Sequence, residues 1–148
     1  MKQRLLTLWL PVVLWMALIF LGSHQQGLPA PQNHWLDVLI KKTAHVLEYA
    51  TLGFLLLRGW LGTLANGRSG AVTRITDALD NESVARKASL LTVLTGGLYA
   101  VSDELHQMLV PTRSGNARDI VIDTLAVTAA VAIAYLWRRS RLRSPQKS

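Results

Sequence analysis

The chain has 148 residues, of which 50% are hydrophobic and 17% charged, and its mean hydropathy is +0.25. This length fits one domain, and the hydropathy is high for a soluble one. The formal net charge of +7 lies mostly at the chain ends and between apolar runs, which favours cytoplasmic loops over a nucleic-acid-binding surface. The absence of cysteine excludes a disulfide framework and a thiolate metal site.

The first apolar run covers residues 5–22, after a basic start at residues 1–4. At about 1.5 Å per residue, this run spans most of a ~30 Å hydrocarbon core, so it predicts a first membrane helix. A cleaved signal peptide shares the basic start. The run is long for such a peptide and no clean cleavage site follows, so we favour a retained helix.

Three further apolar segments predict membrane helices over residues 36–65, 88–110 and 119–137. The polar stretch between the second and third helices includes residues 75–84, whose pattern suggests a short amphipathic helix on the membrane surface. Pro111 is a stop signal for the third helix. Residues 138–148 are predicted to form a basic, disordered tail. The sequence thus predicts one all-α domain over residues 1–148, a four-helix transmembrane bundle.

The distribution of positive charge predicts the orientation of this bundle. Four membrane helices place both termini on the same side, and most of the lysines and arginines fall in the segments on that side. Because cytoplasmic loops carry an excess of these residues, we expect a multi-pass protein of the inner (plasma) membrane with both termini in the cytoplasm.

Ionisable residues recur at the outer ends of the second, third and fourth predicted helices. Such groups are costly inside a membrane and are functional candidates by default. Helical spacing places them on three stripes, which should face one another rather than lipid, around a pocket open to the outer surface. The stripes are Lys42, His45 and Tyr49 with Glu48 beside them; Asp103, His106 and Gln107; and Asp119 with Asp123.

The residue types in these stripes suggest two kinds of role. Clustered carboxylates and imidazoles in a low-dielectric site suit acid–base work or proton binding. These candidates are His45, Glu48, Asp103, Glu104, His106 and Asp123. The candidates for ligand binding are Lys42, Tyr49, Gln107, Arg113 and Asp119. Arg113 follows the third helix, where its planar guanidinium suits bidentate capture of a phosphate or carboxylate. The structural alternative is a salt-bridge network that only locks the helices together. No three-ligand zinc signature or cofactor motif is present, so we predict neither metal nor cofactor.

The three stripes together resemble the VanZ-like family of small bacterial membrane proteins, over about residues 5–137. The matching pattern is Lys42-x-x-His45-x-x-Glu48-Tyr49, then Ser102-Asp103-Glu104-x-His106-Gln107 with Val110-Pro111-x-Arg113, then Asp119-x-x-x-Asp123. The chain has Thr112 and Asp123 where relatives often have Gly and Asn. The resemblance implies a multi-helix envelope protein and altered susceptibility to glycopeptide antibiotics, but no particular reaction.

We therefore expect an outer-leaflet pocket that recognises an anionic envelope lipid or cell-wall precursor headgroup. One alternative is a membrane-embedded enzyme acting on such a lipid, with His45 or His106 as the base. Another is a structural or accessory membrane subunit. A proton-coupled transporter is less favoured, because the polar residues do not continue to the inner side. The expected partners are membrane lipids and not nucleic acid, and a homo-oligomer is compatible with the sequence.

Overall fold

The computed structural model describes residues 2–24, 34–66, 75–111 and 115–143, and every regular element in these ranges is an α-helix. The prediction of an all-α fold is confirmed. The helices are α1 (Lys2–His24), α2 (His34–Asn66), α3 (Ile75–Asp80), α4 (Glu82–Met108) and α5 (Ala117–Arg143).

The start of α4 differs from the predicted start at residue 88. Asn81 caps the helix, because its side chain accepts a hydrogen bond from the Val84 N–H at 3.2 Å. Asn81 also separates α4 from α3, so the amphipathic helix predicted over residues 75–84 is reduced to six residues. At its other end α4 stops at Met108, before Pro111.

The end of α5 corrects a second prediction. Residues 138–143 are helical rather than disordered; residues 144–148 lie outside the described residues. Arg141 donates to both carboxylate oxygens of Asp80, at 2.8 and 2.9 Å, and Arg138 donates to the Asp80 carbonyl oxygen at 3.0 Å. These bonds hold the last turns of α5 against the end of α3.

The central helix is α2, which packs against each of the other four helices. Two glycines allow α5 to approach α2 and α4 closely. A Cβ atom on Gly53 would lie 2.9 Å from Ala130 Cβ, and one on Gly96 would lie 2.9 Å from the Val127 methyl groups. These two glycines therefore serve close helix packing.

The bundle exposes apolar side chains and buries polar ones. Large apolar residues are exposed on all four long helices, among them Leu14, Leu47, Leu94 and Leu125. The buried side chains include Asp103, Glu104, Gln107 and Asp123. Within the described ranges two helical stretches, Gln3–His24 and Ala117–Arg143, are long and apolar enough to cross a membrane. By their length and composition alone, these two helices suggest a membrane protein.

Candidate functional site

The polar side chains of all four long helices meet at one end of the bundle. The carboxyl-terminal ends of α1 and α4 reach this end, and α2 and α5 begin there. The structure thus brings the three predicted stripes together. We call this set the polar cluster; it comprises Ser23, Lys42, His45, Tyr49, Asp103, Glu104, His106, Gln107, Asp119 and Asp123.

Asp103 connects three helices within the polar cluster. Its Oδ2 atom accepts hydrogen bonds from Ser23 Oγ at 3.0 Å, Tyr49 OH at 3.3 Å and Gln107 Nε2 at 3.1 Å. These donors come from α1, α2 and α4, and only 2% of Asp103 is exposed. Hydrogen bonds to a charged acceptor are stronger than neutral ones, so this carboxylate ties α1 and α2 to α4.

Two acid–base pairs join α2 to α5, about one helical turn apart. The outer pair is Lys42 with Asp119, whose side chains are 40% and 22% exposed. The inner pair is His45 with Asp123, in which His45 Nδ1 lies 3.6 Å from Asp123 Oδ2. The Asp123 side chain is fully buried. The cluster therefore runs from a partly exposed rim to a buried carboxylate.

Glu104 faces the short connection between α4 and α5. Its Oε2 atom accepts the backbone N–H of Asn116 at 2.7 Å. The preceding residue, Gly115, is packed so closely that a Cβ atom there would lie 2.6 Å from the Glu104 carbonyl oxygen. Asp103 and Glu104 are adjacent in the chain and both are buried, but they have different hydrogen-bond partners.

Three predicted site residues remain: His106, Glu48 and Arg113. His106 is half-buried, and its ring stacks on Phe20 of α1 with centroids 4.1 Å apart. Glu48 is half-buried beside the cluster, and its backbone carbonyl accepts a hydrogen bond from Trp15 Nε1 at 2.9 Å. Arg113, the residue predicted to capture an anion, lies outside the described residues.

Sequence reasoning missed the part that α1 plays in this site. Ser23 is buried against Asp103, and the Tyr99 hydroxyl donates to the Met16 carbonyl oxygen at 2.6 Å. Ser23 follows an apolar run and has no charged neighbour, so no pattern marked it. A signal was present in Tyr99 and Trp15, since the polar atom of a buried tyrosine or tryptophan usually finds a hydrogen-bond partner.

The deep side of the polar cluster is closed to solvent, and its rim is open at Lys42 and Asp119. A groove of about 280 Å³ lies elsewhere, between α1, α2 and α4, where its borders include Trp9, Met16, Leu56 and Tyr99. Its walls are apolar. Within the described ranges, no three His, Asp or Glu side chains are arranged to hold a metal ion.

The fold and the site together define a small all-helical protein with an apolar exterior and a buried cluster of carboxylates, histidines and hydrogen-bond donors. The VanZ/LLP1 family model matches residues 8–138, which is most of the chain. The chain belongs to the VanZ/LLP1 family, and the resemblance seen in the sequence is confirmed. Neither the curated proteins nor the solved structures gave a match.

Proposed function

We propose that all four long helices cross the inner membrane, with both termini in the cytoplasm and the polar cluster in the outer leaflet. The apolar residues exposed on each long helix support this arrangement, since they suit contact with lipid. The end of the bundle opposite the cluster carries Arg4, Arg86, Lys87 and Arg139. The positive-inside rule assigns that basic end to the cytoplasm.

We further propose that the polar cluster recognises the phosphate-bearing headgroup of an envelope lipid or of a lipid-linked cell-wall precursor. The observation that supports this best is the convergence of ionisable side chains from three helices at a single membrane-facing end. Such groups are energetically costly among lipids, so their presence there is by default a sign of function. Lys42 lies at the exposed rim, where an ammonium group suits a phosphate. Membership of the VanZ/LLP1 family makes altered glycopeptide susceptibility the phenotype to measure.

A second function, catalysis on such a lipid, is favoured by the His45–Asp123 pair. A buried carboxylate beside an imidazole orients the ring and stabilises its protonated form, which is the arrangement of many general bases. This function requires turnover of a lipid substrate. It predicts that Asp123→Asn abolishes turnover while the folded protein still binds the lipid.

The test of headgroup recognition is native mass spectrometry of the purified protein. The wild type is compared with Lys42→Gln and Arg113→Gln, and Lys87→Gln is the matched control because Lys87 is exposed at the opposite end. We expect the wild type and the control to retain an anionic lipid that the Lys42 and Arg113 variants lose while still folded. Retention by all four proteins alike, or loss of folding without any selective lipid in the wild type, would favour a structural role instead.

A further inference from the structure

Arg58 is an ionisable residue of the long helices that lies away from the polar cluster. It follows three leucines in α2, eight residues before that helix ends at Asn66, so it lies roughly 12 Å from the basic end of the bundle. Its side chain is partly exposed. Within the described part of the chain, no Asp or Glu side chain forms an ion pair with it. A charge at such a position in a membrane helix is costly and is a functional candidate by default.

The Arg58 guanidinium donates to a backbone carbonyl that the sequence of α1 leaves without a helical partner. Nη1 and Nη2 both donate to the Thr7 carbonyl oxygen, each at 3.4 Å. In an α-helix this oxygen accepts the N–H of the residue four positions later, but that residue is Pro11, which has no N–H. Arg58 therefore satisfies an acceptor that the proline frees. The contact orients the guanidinium but does not neutralise it, because a carbonyl group carries no net charge.

The geometry of this contact leaves one edge of the guanidinium for a ligand. A guanidinium offers five N–H donors in a planar fork, and the Thr7 carbonyl takes the edge formed by the two Nη atoms. The other edge is formed by Nε and one Nη atom, and no acceptor bonds to its Nε in the described part of the chain. An edge of this kind suits two oxygens of one phosphate.

The surroundings of Arg58 change from basic to apolar along the bundle. Leu10 follows Thr7 on the same face of α1, and Phe54 lies one turn before Arg58 on α2, both in the direction of the bundle centre. These two side chains are 55% and 42% exposed. On the other side lies the start of α1, with Arg4 one turn before Thr7. This order matches the phosphate and the acyl chains of a lipid.

We infer that Arg58 binds the phosphate of an anionic phospholipid near the basic end of the bundle, at a second lipid site remote from the polar cluster. The acyl chains lie over Leu10 and Phe54. A free phosphate ion offers the same oxygens but has no apolar part to cover this surface. The inference rests on the proposed membrane arrangement, in which this end lies in the cytoplasmic leaflet, and it goes beyond headgroup recognition by the polar cluster.

Native mass spectrometry of the full-length protein, released from nanodiscs, tests this site. The discs contain phosphatidylglycerol and phosphatidylcholine with identical acyl chains, and the retained lipids are counted as the fraction of phosphatidylglycerol rises. We expect Arg58→Gln to bind one phosphatidylglycerol about tenfold more weakly than the wild type, because hydrogen bonds to a charged group are lost. Arg86→Gln is the matched control, since Arg86 is an exposed arginine at the same end, and it should bind as the wild type does. An unchanged affinity in Arg58→Gln, or an equal loss in both variants, would overturn the inference.

A second variant covers the case in which Arg58→Gln does not fold. Arg58→Lys keeps the positive charge and can donate to the Thr7 carbonyl, but it lacks the planar fork. We expect it to bind phosphatidylglycerol more weakly than the wild type, and an unchanged affinity would overturn the inference. Inorganic phosphate alone is the other probe. Its retention by the wild type and loss in Arg58→Gln, with no selective lipid, would show a free-ion site and overturn the lipid assignment.

Lys42→Gln separates this site from the polar cluster in the same experiment. We expect this variant to keep the phosphatidylglycerol that Arg58→Gln loses. Loss in Lys42→Gln alone would overturn the inference and leave headgroup recognition standing, whereas loss in Arg58→Gln alone would do the reverse. A wild type without preference for phosphatidylglycerol would overturn the site at Arg58.

Discussion

Replacing Asp103 with alanine should destabilise the bundle more than any other single truncation in the polar cluster. The change removes one acceptor and leaves three donors, Ser23, Tyr49 and Gln107, without it. Hydrogen bonds to a charged group contribute about 1.5–3 kcal/mol each. These losses do not simply add. Gln107 Nε2 can still donate to Ser23 Oγ, which lies 3.5 Å away, and the variant no longer bears the desolvation cost of a buried carboxylate. We expect a net loss of about 2–4 kcal/mol in the free energy of unfolding.

Reversible unfolding of the purified protein in mixed detergent micelles, followed by circular dichroism, measures this loss. Asp119→Ala is the matched control, because its pair with Lys42 is partly exposed and such pairs contribute about 0–1 kcal/mol. Equal destabilisation of Asp103→Ala and Asp119→Ala would refute the idea that Asp103 stabilises the bundle by accepting several hydrogen bonds. A Ser23→Ala and Asp103→Ala double-mutant cycle should also show coupling between α1 and α4 of about 0.5–1.5 kcal/mol.

Three further predictions concern glycine packing and orientation. Gly115→Ala should lower the free energy of unfolding by roughly 1–3 kcal/mol in the same assay, since its Cβ would lie 2.6 Å from a backbone oxygen of α4. Gly53→Ala should lower the free energy of unfolding by a similar amount, roughly 1–3 kcal/mol, because its added Cβ would lie 2.9 Å from Ala130 Cβ of α5. Gly59→Ala should be neutral or stabilising, because its added Cβ would lie 3.5 Å from the Trp9 ring; equal effects of the two changes would contradict the packing argument. The chain has no cysteine, so single cysteines can report its orientation to a membrane-impermeant maleimide. Asn116→Cys should react on intact cells and Ser140→Cys only after permeabilisation, and the reverse pattern would overturn the proposed orientation.

The local features of this fold were accessible from the sequence because they depend on neighbouring residues. The apolar runs located all four long helices, and Pro111 marked the end of α4. Two boundaries were missed: the start of α4, for a local reason, and the end of α5, for a tertiary one. The Asn81 cap is a short polar signal within an already polar stretch, whereas the extension of α5 depends on Asp80, a residue 58 positions before Arg138.

For the site, helical spacing and the alternation of helix directions predicted which residues would come together at one end. These two rules are sufficient because a rigid helix fixes the face and the depth of every side chain on it. They do not determine partners. That Lys42 pairs with Asp119 and His45 with Asp123 depends on how α2 is rotated against α5, and these two helices pack closely at Gly53.

The sequence by itself determined the all-α class, the family and the residue types of the polar cluster, since periodicity and motif spacing are written along the chain. Only the tertiary structure decided that Ser23 of α1 belongs to the site and that Asp103 accepts donors from both α1 and α2. It also decided which carboxylate oxygens have no donor beside them. The physical reason is that a hydrogen bond depends on distances of a few tenths of an ångström between separate helices, and no local pattern in the chain encodes those distances.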